Sequence, residues 1–282
     1  MNHERNQPET PRRRSPIRSI VSILLVATLG WWLLTSMLQE RIIFPNSFAN
    51  RDVPVRAPDD FEVIRVGPDQ GVEALLILPD VEINPAPLIV VMHGNAELAD
   101  DWVNFARRQV GRGYAVLVPE YRGYGRSKGT PGQDRIRSDV LEAIDIAATR
   151  DTIDEDRIAY LGRSIGSAIA ADVALRRTPN CMVFIVPPVS VSGFAWSYGI
   201  PPLLIRHPLR TDLALPQLDV PLLICSHDQD EVIPAIQSEE LHRLAPDSTL
   251  MRFEGRHNFL FDESERVRRR EAIEEHLELH LR

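Results

Sequence analysis

Cysteine is scarce in this chain: two in 282 residues, Cys181 and Cys225, each inside or beside an apolar, strand-like run. Two such residues cannot make a disulfide framework, and their spacing fits no metal motif. Both read as free, buried thiols behaving as small hydrophobes. Positive charge is also in short supply, with 32 Lys and Arg against 40 Asp and Glu and a net charge of −8. That balance argues against a nucleic-acid partner. Internal repeats and long low-complexity segments are absent, which leaves ordinary globular composition and enough chain for one large α/β domain. Long apolar runs are missing too, with one exception near the N-terminus.

The exception is Ile17 to Leu38, 22 mostly apolar residues that follow a polar, proline- and arginine-rich stretch over residues 1–16. About 20 helical residues cross a bilayer core, so 17–38 is expected to be a transmembrane signal anchor and 1–16 a disordered tail. No cleavage site is obvious, although a cleaved signal peptide or an interfacial helix stays open as an alternative. Arg5, Arg12, Arg13, Arg14 and Arg18 lie before or at the leading edge of the run. The positive-inside rule then places the N-terminus in the cytoplasm and the remaining domain on the exoplasmic or periplasmic side. Residues 39–58 read as a connecting segment and 59–282 as the folded domain.

Within that domain, strand-like runs come at Phe61–Val66, Val72–Leu78, Pro87–Met92, Ala115–Pro119, Met182–Val186, Val220–Cys225 and Thr249–Phe253. The first two suit an antiparallel pair. From Leu88 onward most runs are followed by a helical pattern, which predicts parallel β-α units. Helices are expected over Asn95–Arg112, Asp134–Arg150 and Ile165–Arg177, with a terminal one over Glu265–Arg282 capped by Ser264. The pattern breaks over 187–217, which holds six prolines among apolar and aromatic residues. This insertion is expected to roof a site, the alternative being an ordinary packed connection.

One stretch organises the rest. The apolar run Ile158–Leu161 ends in Gly162-Arg163-Ser164-Ile165-Gly166, followed by the small residues Ser167, Ala168, Ala170 and Ala171. A G-x-S-x-G between a strand and a helix is the context of a nucleophile elbow, in which a strained turn lifts the serine clear of the sheet. A serine hydroxyl is a weak nucleophile and needs a base, a group to orient that base, and donors for an oxyanion. His257 follows the last strand-like run, and Asp230 follows the one before it, with Asp228 and Glu231 as competitors. The order Ser, Asp, His is one of the few known chain orders for such a set. His93-Gly94-Asn95-Ala96 closes an earlier run and can offer a backbone N–H, that of Asn95 or Ala96, with the N–H of Ile165 as the second donor. His93 itself reads as a structural residue. His207 and His242 are left as lid or surface residues. His276 and His280 are four apart on the terminal helix without a visible third ligand, and read as a solvated face.

These residues resemble the α/β-hydrolase superfamily, and more narrowly the membrane-anchored Bem46-like hydrolases near the serine aminopeptidase-like group. The markers are Leu38 to Pro45 after the apolar run, His93 to Glu97, Tyr121 to Gly129, Gly162 to Gly166, Asp230 to Pro234 and Arg256-His257-Asn258. The resemblance implies an α/β-hydrolase fold, with Ser164 as nucleophile, Asp230 as acid and His257 as base. It implies a serine hydrolase acting on an ester, thioester or amide, with a peptidase, an acyltransferase or a silent binding scaffold as other readings. No metal or organic cofactor is required, and a lipid-like acyl substrate suits an apolar lid on a membrane tether. Two departures stand out: His227 where the family has a glycine, and Arg256 where a glycine usually precedes the histidine.

Overall fold

The computed structural model describes residues 16–79 and 85–281, so the expected tail lies, but for its last residue, outside the described residues. Its strands are β1 (Glu62–Val66), β2 (Val72–Ile77), β3 (Ala86–Met92), β4 (Ala115–Pro119), β5 (Ile153–Arg163), β6 (Cys181–Ile185), β7 (Leu222–His227) and β8 (Ser248–Phe253). The helices are α1 (Pro16–Met37), α2 (Gln39–Ile43), α3 (Asn46–Ala49), α4 (Val103–Val110), α5 (Gln133–Ala148), α6 (Ile165–Ala174), α7 (Thr211–Ala214), α8 (Ile236–Leu244) and α9 (Glu263–Leu281).

The strands make one sheet in the order β1-β2-β4-β3-β5-β6-β7-β8. β2 runs antiparallel to both neighbours, and β3 through β8 are parallel. The reason lies in β3, which is buried along its whole length. Leu88, Val90 and Met92 face a core shared with α5 and α6, while Ile89 and Val91 face a second core shared with α4 and α9. A strand apolar on both faces must be covered on both, and helical crossovers do that. Each such side chain taken from water contributes roughly 1.5–3 kcal/mol. The expected α/β architecture, a mostly parallel sheet with helices on both faces, is the one adopted. Cys181 and Cys225 are free and buried, and burial pushes both thiols up to about 12.

Four local expectations need correcting. The helix expected from Asn95 begins later, as a 3-10 turn at Ala99–Trp102 leading into α4. The amides of Leu98 and Ala99 are taken instead by the carboxylates of Asp101 and Glu120, at 2.8 and 3.0 Å. The terminal helix is capped by Asp262, whose Oδ1 accepts from the Glu265 amide at 2.9 Å, and not by Ser264. His276 packs half-buried, and burial pushes its imidazole down to about 4, so it does not belong to a solvated face. Finally, residues 39–58 are more than a connector: Gln39, Ile43 and Phe44 are buried, and the last two join the core of the sheet.

Chain direction places the site. From β3 the chain passes to β4 on one side and then returns to β5 on the other, so a crevice opens beyond the carboxyl ends of β3 and β5. Ligands in open parallel sheets bind at such a reversal. α1 projects from this end of the sheet. Its segment Ile17–Met37, about 30 Å long at 1.5 Å per residue, is apolar and outward-facing and is a candidate membrane anchor.

Candidate active site

Ser164 sits between β5 and α6 with φ 52° and ψ −124°, a left-handed conformation that a residue with a side chain adopts only under strain. The surroundings enforce it. A Cβ on Gly166 would lie 2.1 Å from the Met92 carbonyl oxygen, and one on Gly162 would lie 2.5 Å from Ser167 Cα. Only glycines let the turn nest this closely against β3 and α6. The result is a half-buried hydroxyl at the helix N-terminus, where the first amides have no intrahelical acceptor.

Ser164 Oγ lies 3.1 Å from His257 Nε2, and His257 Nδ1–H donates to Asp230 Oδ2 at 2.7 Å. The acid's other oxygen accepts the amides of Val232 and Ile233 at 2.8 and 2.7 Å. Burial opposes ionisation of Asp230, but His257 and these amides outweigh it and hold the carboxyl below its ordinary range. The competitors are turned elsewhere. Asp228 Oδ1 accepts from Arg252 Nε at 2.6 Å, and Glu231 reaches only the backbone N–H of His257, at 3.4 Å. Three residues from the ends of β5, β7 and β8 thus form one continuous hydrogen-bonded relay.

The 93–97 loop stands opposite. His93 is fully buried, donating from Nδ1 to the Gly94 carbonyl at 2.9 Å and from Nε2 to Glu120 Oε1 at 2.7 Å. Burial works against a charge on His93, yet Glu120 overcomes it and holds the imidazole above its usual range. Tyr121 stacks on that ring at 3.9 Å and donates its hydroxyl to the His93 carbonyl at 2.8 Å. The Asn95 side chain is pinned by Tyr124 at 3.1 Å and by the Ile43 carbonyl at 2.8 Å. The glycine-rich stretch after β4, Tyr121 to Gly129, is the brace of this loop.

Two further ties were not legible in the motifs. Glu97 accepts the Gly94 amide at 2.7 Å and pairs at close range with Arg163, the residue before the serine. Arg163 Nη2 in turn donates to the carbonyl of His257 at 3.0 Å and to Asn258 Oδ1 at 3.2 Å. One ion pair therefore joins the 93–97 loop, the serine turn and the histidine loop. His227, where a glycine was expected, ends β7 and bonds through Nδ1 to the Arg256 carbonyl at 2.7 Å, bracing the histidine loop from below. His207 is likewise structural, accepting the Gln133 amide at 3.3 Å and packing edge-on against Phe44.

Ser164, Ile165 and Asn95 share the wall of one apolar cavity of about 370 Å³. Six residues of the 187–217 insertion contribute to it: Pro188, Val191, Phe194, Ala195, Ile200 and Ile205. So do Trp31 and Thr35 of α1 and Gln39, Ile42 and Ile43 of α2. A larger cleft of about 740 Å³ lies between α4 and α9, but it mixes five arginines with four acids and does not reach Ser164. The apolar cavity is the one that meets the relay.

Known proteins resemble this chain in sequence and in fold. The profile of the serine aminopeptidase family S33 matches residues 83–203, a span that holds the 93–97 loop and Ser164 but ends before Asp230 and His257. An uncharacterized protein of Mycobacterium tuberculosis is 28% identical over 246 residues, covering 81% of this chain and 82% of the relative. The lysophosphatidylserine lipase ABHD12 of Rattus norvegicus is 27% identical over 190 residues, covering 59% of this chain and 47% of that protein. Among solved structures, an esterase of Pyrococcus furiosus superposes with a TM-score of 0.63 over 82% of this chain and 97% of its own, at 16% identity.

Proposed function

The chain belongs to the α/β-hydrolase superfamily and is a hydrolase, and we propose that it is a membrane-anchored serine hydrolase that cleaves an acyl ester, thioester or amide through an acyl-enzyme. The observation that carries the reading is the Ser164–His257–Asp230 relay, 3.1 and 2.7 Å per link, opening into an apolar cavity. In this reading Ser164 Oγ attacks the substrate carbonyl while His257 Nε2 takes its proton, and Asp230 steadies the imidazolium that forms. The amides of Asn95 and Ile165 hold the oxyanion, and the strained turn keeps Ser164 aimed at the carbonyl. His257 then protonates the leaving group, and a water deprotonated by the same nitrogen releases the acid.

The cavity supports an acyl substrate. Its volume falls near the lower end of the roughly 300–1,000 Å³ typical of small-molecule sites, which suits one acyl chain. Residues 187–217 act as its roof, and 59–282 is the catalytic domain. The lipase and esterase among the similar proteins favour an ester. The S33 family name raises the aminopeptidase alternative, but a free amino terminus calls for a carboxylate, and no acidic residue is among those described as lining the cavity. In this reading the N-terminus lies in the cytoplasm and the catalytic domain on the far side, an orientation that the arginines before α1 favour.

Labelling by a fluorophosphonate tests the reading. The intact chain should label, Ser164→Ala should not, and His257→Ala and Asp230→Asn should label at least about a hundredfold more slowly. Labelling that persists in Ser164→Ala would refute the assignment of the nucleophile.

A further inference from the structure

α1 does more than tether. Trp32, Ser36 and Gln39 recur on one helical face, and each is bonded to the segment 199–206 of the insertion. Trp32 Nε1 donates to the Gly199 carbonyl at 3.1 Å, and the Ser36 carbonyl accepts from Arg206 Nη2 at 2.7 Å. Gln39, 3% exposed, has both ends of its amide satisfied: Nε2 donates to the Leu204 carbonyl at 2.6 Å, and Oε1 accepts the Arg206 amide at 2.7 Å. Glu40 adds an ion pair to Arg206 at 3.0 Å. A passive leash needs no such register. The same turns present Trp31, Thr35 and Ile42 to the cavity that ends at Ser164.

The outer surface fits a bilayer at this level. The preceding apolar side chains of α1 face outward, Leu203 within the docking segment is 85% exposed, and Ile42 is 51% exposed. Tryptophans near the end of a spanning helix sit at headgroup height, so Trp31 and Trp32 place the cavity at the boundary between headgroups and acyl chains. We propose that the last turns of α1, with α2, form one wall of the acyl site, and that the enzyme takes the acyl chain of a single-chain lipid ester sideways from the leaflet in which the helix ends. This rests on the serine-hydrolase reading of the same site.

One reagent separates the two ideas. The full-length protein in phosphatidylcholine vesicles is treated with a long-chain alkyl fluorophosphonate that carries a diazirine at the far end of its chain. Ser164 Oγ bonds to phosphorus, fluoride leaves and His257 takes the proton, which fixes the chain in the site. Irradiation expels nitrogen and the carbene inserts into whatever it touches. Insertion into residues 31–43 is the expected result. Insertion confined to 188–205 or 232–236, with Ser164 phosphonylated, would overturn the wall while leaving the hydrolase intact. A protein that Ser164 fails to link to phosphorus would lose both readings. A second test uses Thr35→Trp, since the Thr35 hydroxyl bonds only within its own helix, to the Trp31 and Trp32 carbonyls. The ratio of kcat/KM for p-nitrophenyl decanoate over acetate should fall at least about tenfold, and an unchanged ratio in the folded variant would overturn the proposal.

Discussion

Acid should weaken the fold beneath this site through His227. The ring is 1% exposed and held between two fixed partners, the Arg256 carbonyl at 2.7 Å and Arg269 Nη1 at 3.1 Å. A carbonyl only accepts and a guanidinium only donates, so Nδ1 carries the proton and Nε2 is the acceptor. Protonation would turn Nε2 into a donor facing a cation. Burial pushes the pKa down to about 4; Arg269 and Arg163 add to it, against the Arg256 carbonyl and Asp230. The unfolded chain returns the group to about 6.5. With the folded pKa the lower one, the unfolded state binds more protons between those values, so stability is complete above about pH 6.5 and is lost as pH falls toward 4. A difference of about 2.5 units at 1.36 kcal/mol each is on the order of 3 kcal/mol, or about 6–12 °C in melting temperature for a domain of this size. His227→Gln removes the titration while its amide can still donate to Arg256 and accept from Arg269. Circular-dichroism melts of both proteins in detergent should show the wild type losing several degrees more than the variant between about pH 6.5 and 4.5. His276, shifted the same way, is present in both and cancels in the difference. Equal slopes for the two proteins would refute the argument.

Two further outcomes follow from the ties around the relay. Glu97→Gln keeps the size of the side chain but discards the charge that holds Arg163, and through it the His257 carbonyl. Steady-state kinetics on a p-nitrophenyl ester should show kcat falling about tenfold, near 1.4 kcal/mol, with KM little changed; a wild-type kcat would remove Arg163 and Glu97 from the positioning of His257. Gly166→Ala drives a methyl group to 2.1 Å from a backbone oxygen of β3, which cannot yield as a flexible side chain would. It should destabilise by at least about 3 kcal/mol or fail to fold, and a soluble variant with the wild-type melting temperature would contradict the packing of the serine turn.

How much of this could be read from the chain depends on where each residue's partners lie. The central strands were legible because β3, β4, β6, the second half of β5 and most of β7 are short apolar runs buried on both faces. Their ends were less so. β7 continues through Ser226 and His227, polar residues that read as the start of a loop until the sheet supplies their backbone partners. α4 was expected too early because Asn95 to Leu98 have ordinary helical composition. The amides of Gly94, Leu98 and Ala99, at and beside that stretch, face the carboxylates of Glu97, Asp101 and Glu120 instead, and Glu120 follows the end of the next strand, outside any helical period.

The site divides along the same line. Ser164, Asp230 and His257 each follow a strand-like run, so topology alone draws them toward one edge of the sheet, where the structure then brings them into hydrogen-bonding contact. Glu97, Arg163 and His227 carry no such mark, because a charged or imidazole side chain beside a motif is usually solvated. Their roles come from contacts 29 to 94 residues away in sequence. The candidate anchor α1 shows the limit most sharply. Within an apolar run, composition predicts only that the side chains avoid water, and lipid or a protein cavity satisfies that equally. The distinguishing signal was polar: Thr35, Ser36 and Gln39 at the trailing end lie within about one helical turn. A buried glutamine must find partners for both ends of its amide, and a bilayer offers none. On the proposed anchoring, Gln39 therefore marks the level at which the helix stops belonging to the membrane and starts belonging to the enzyme.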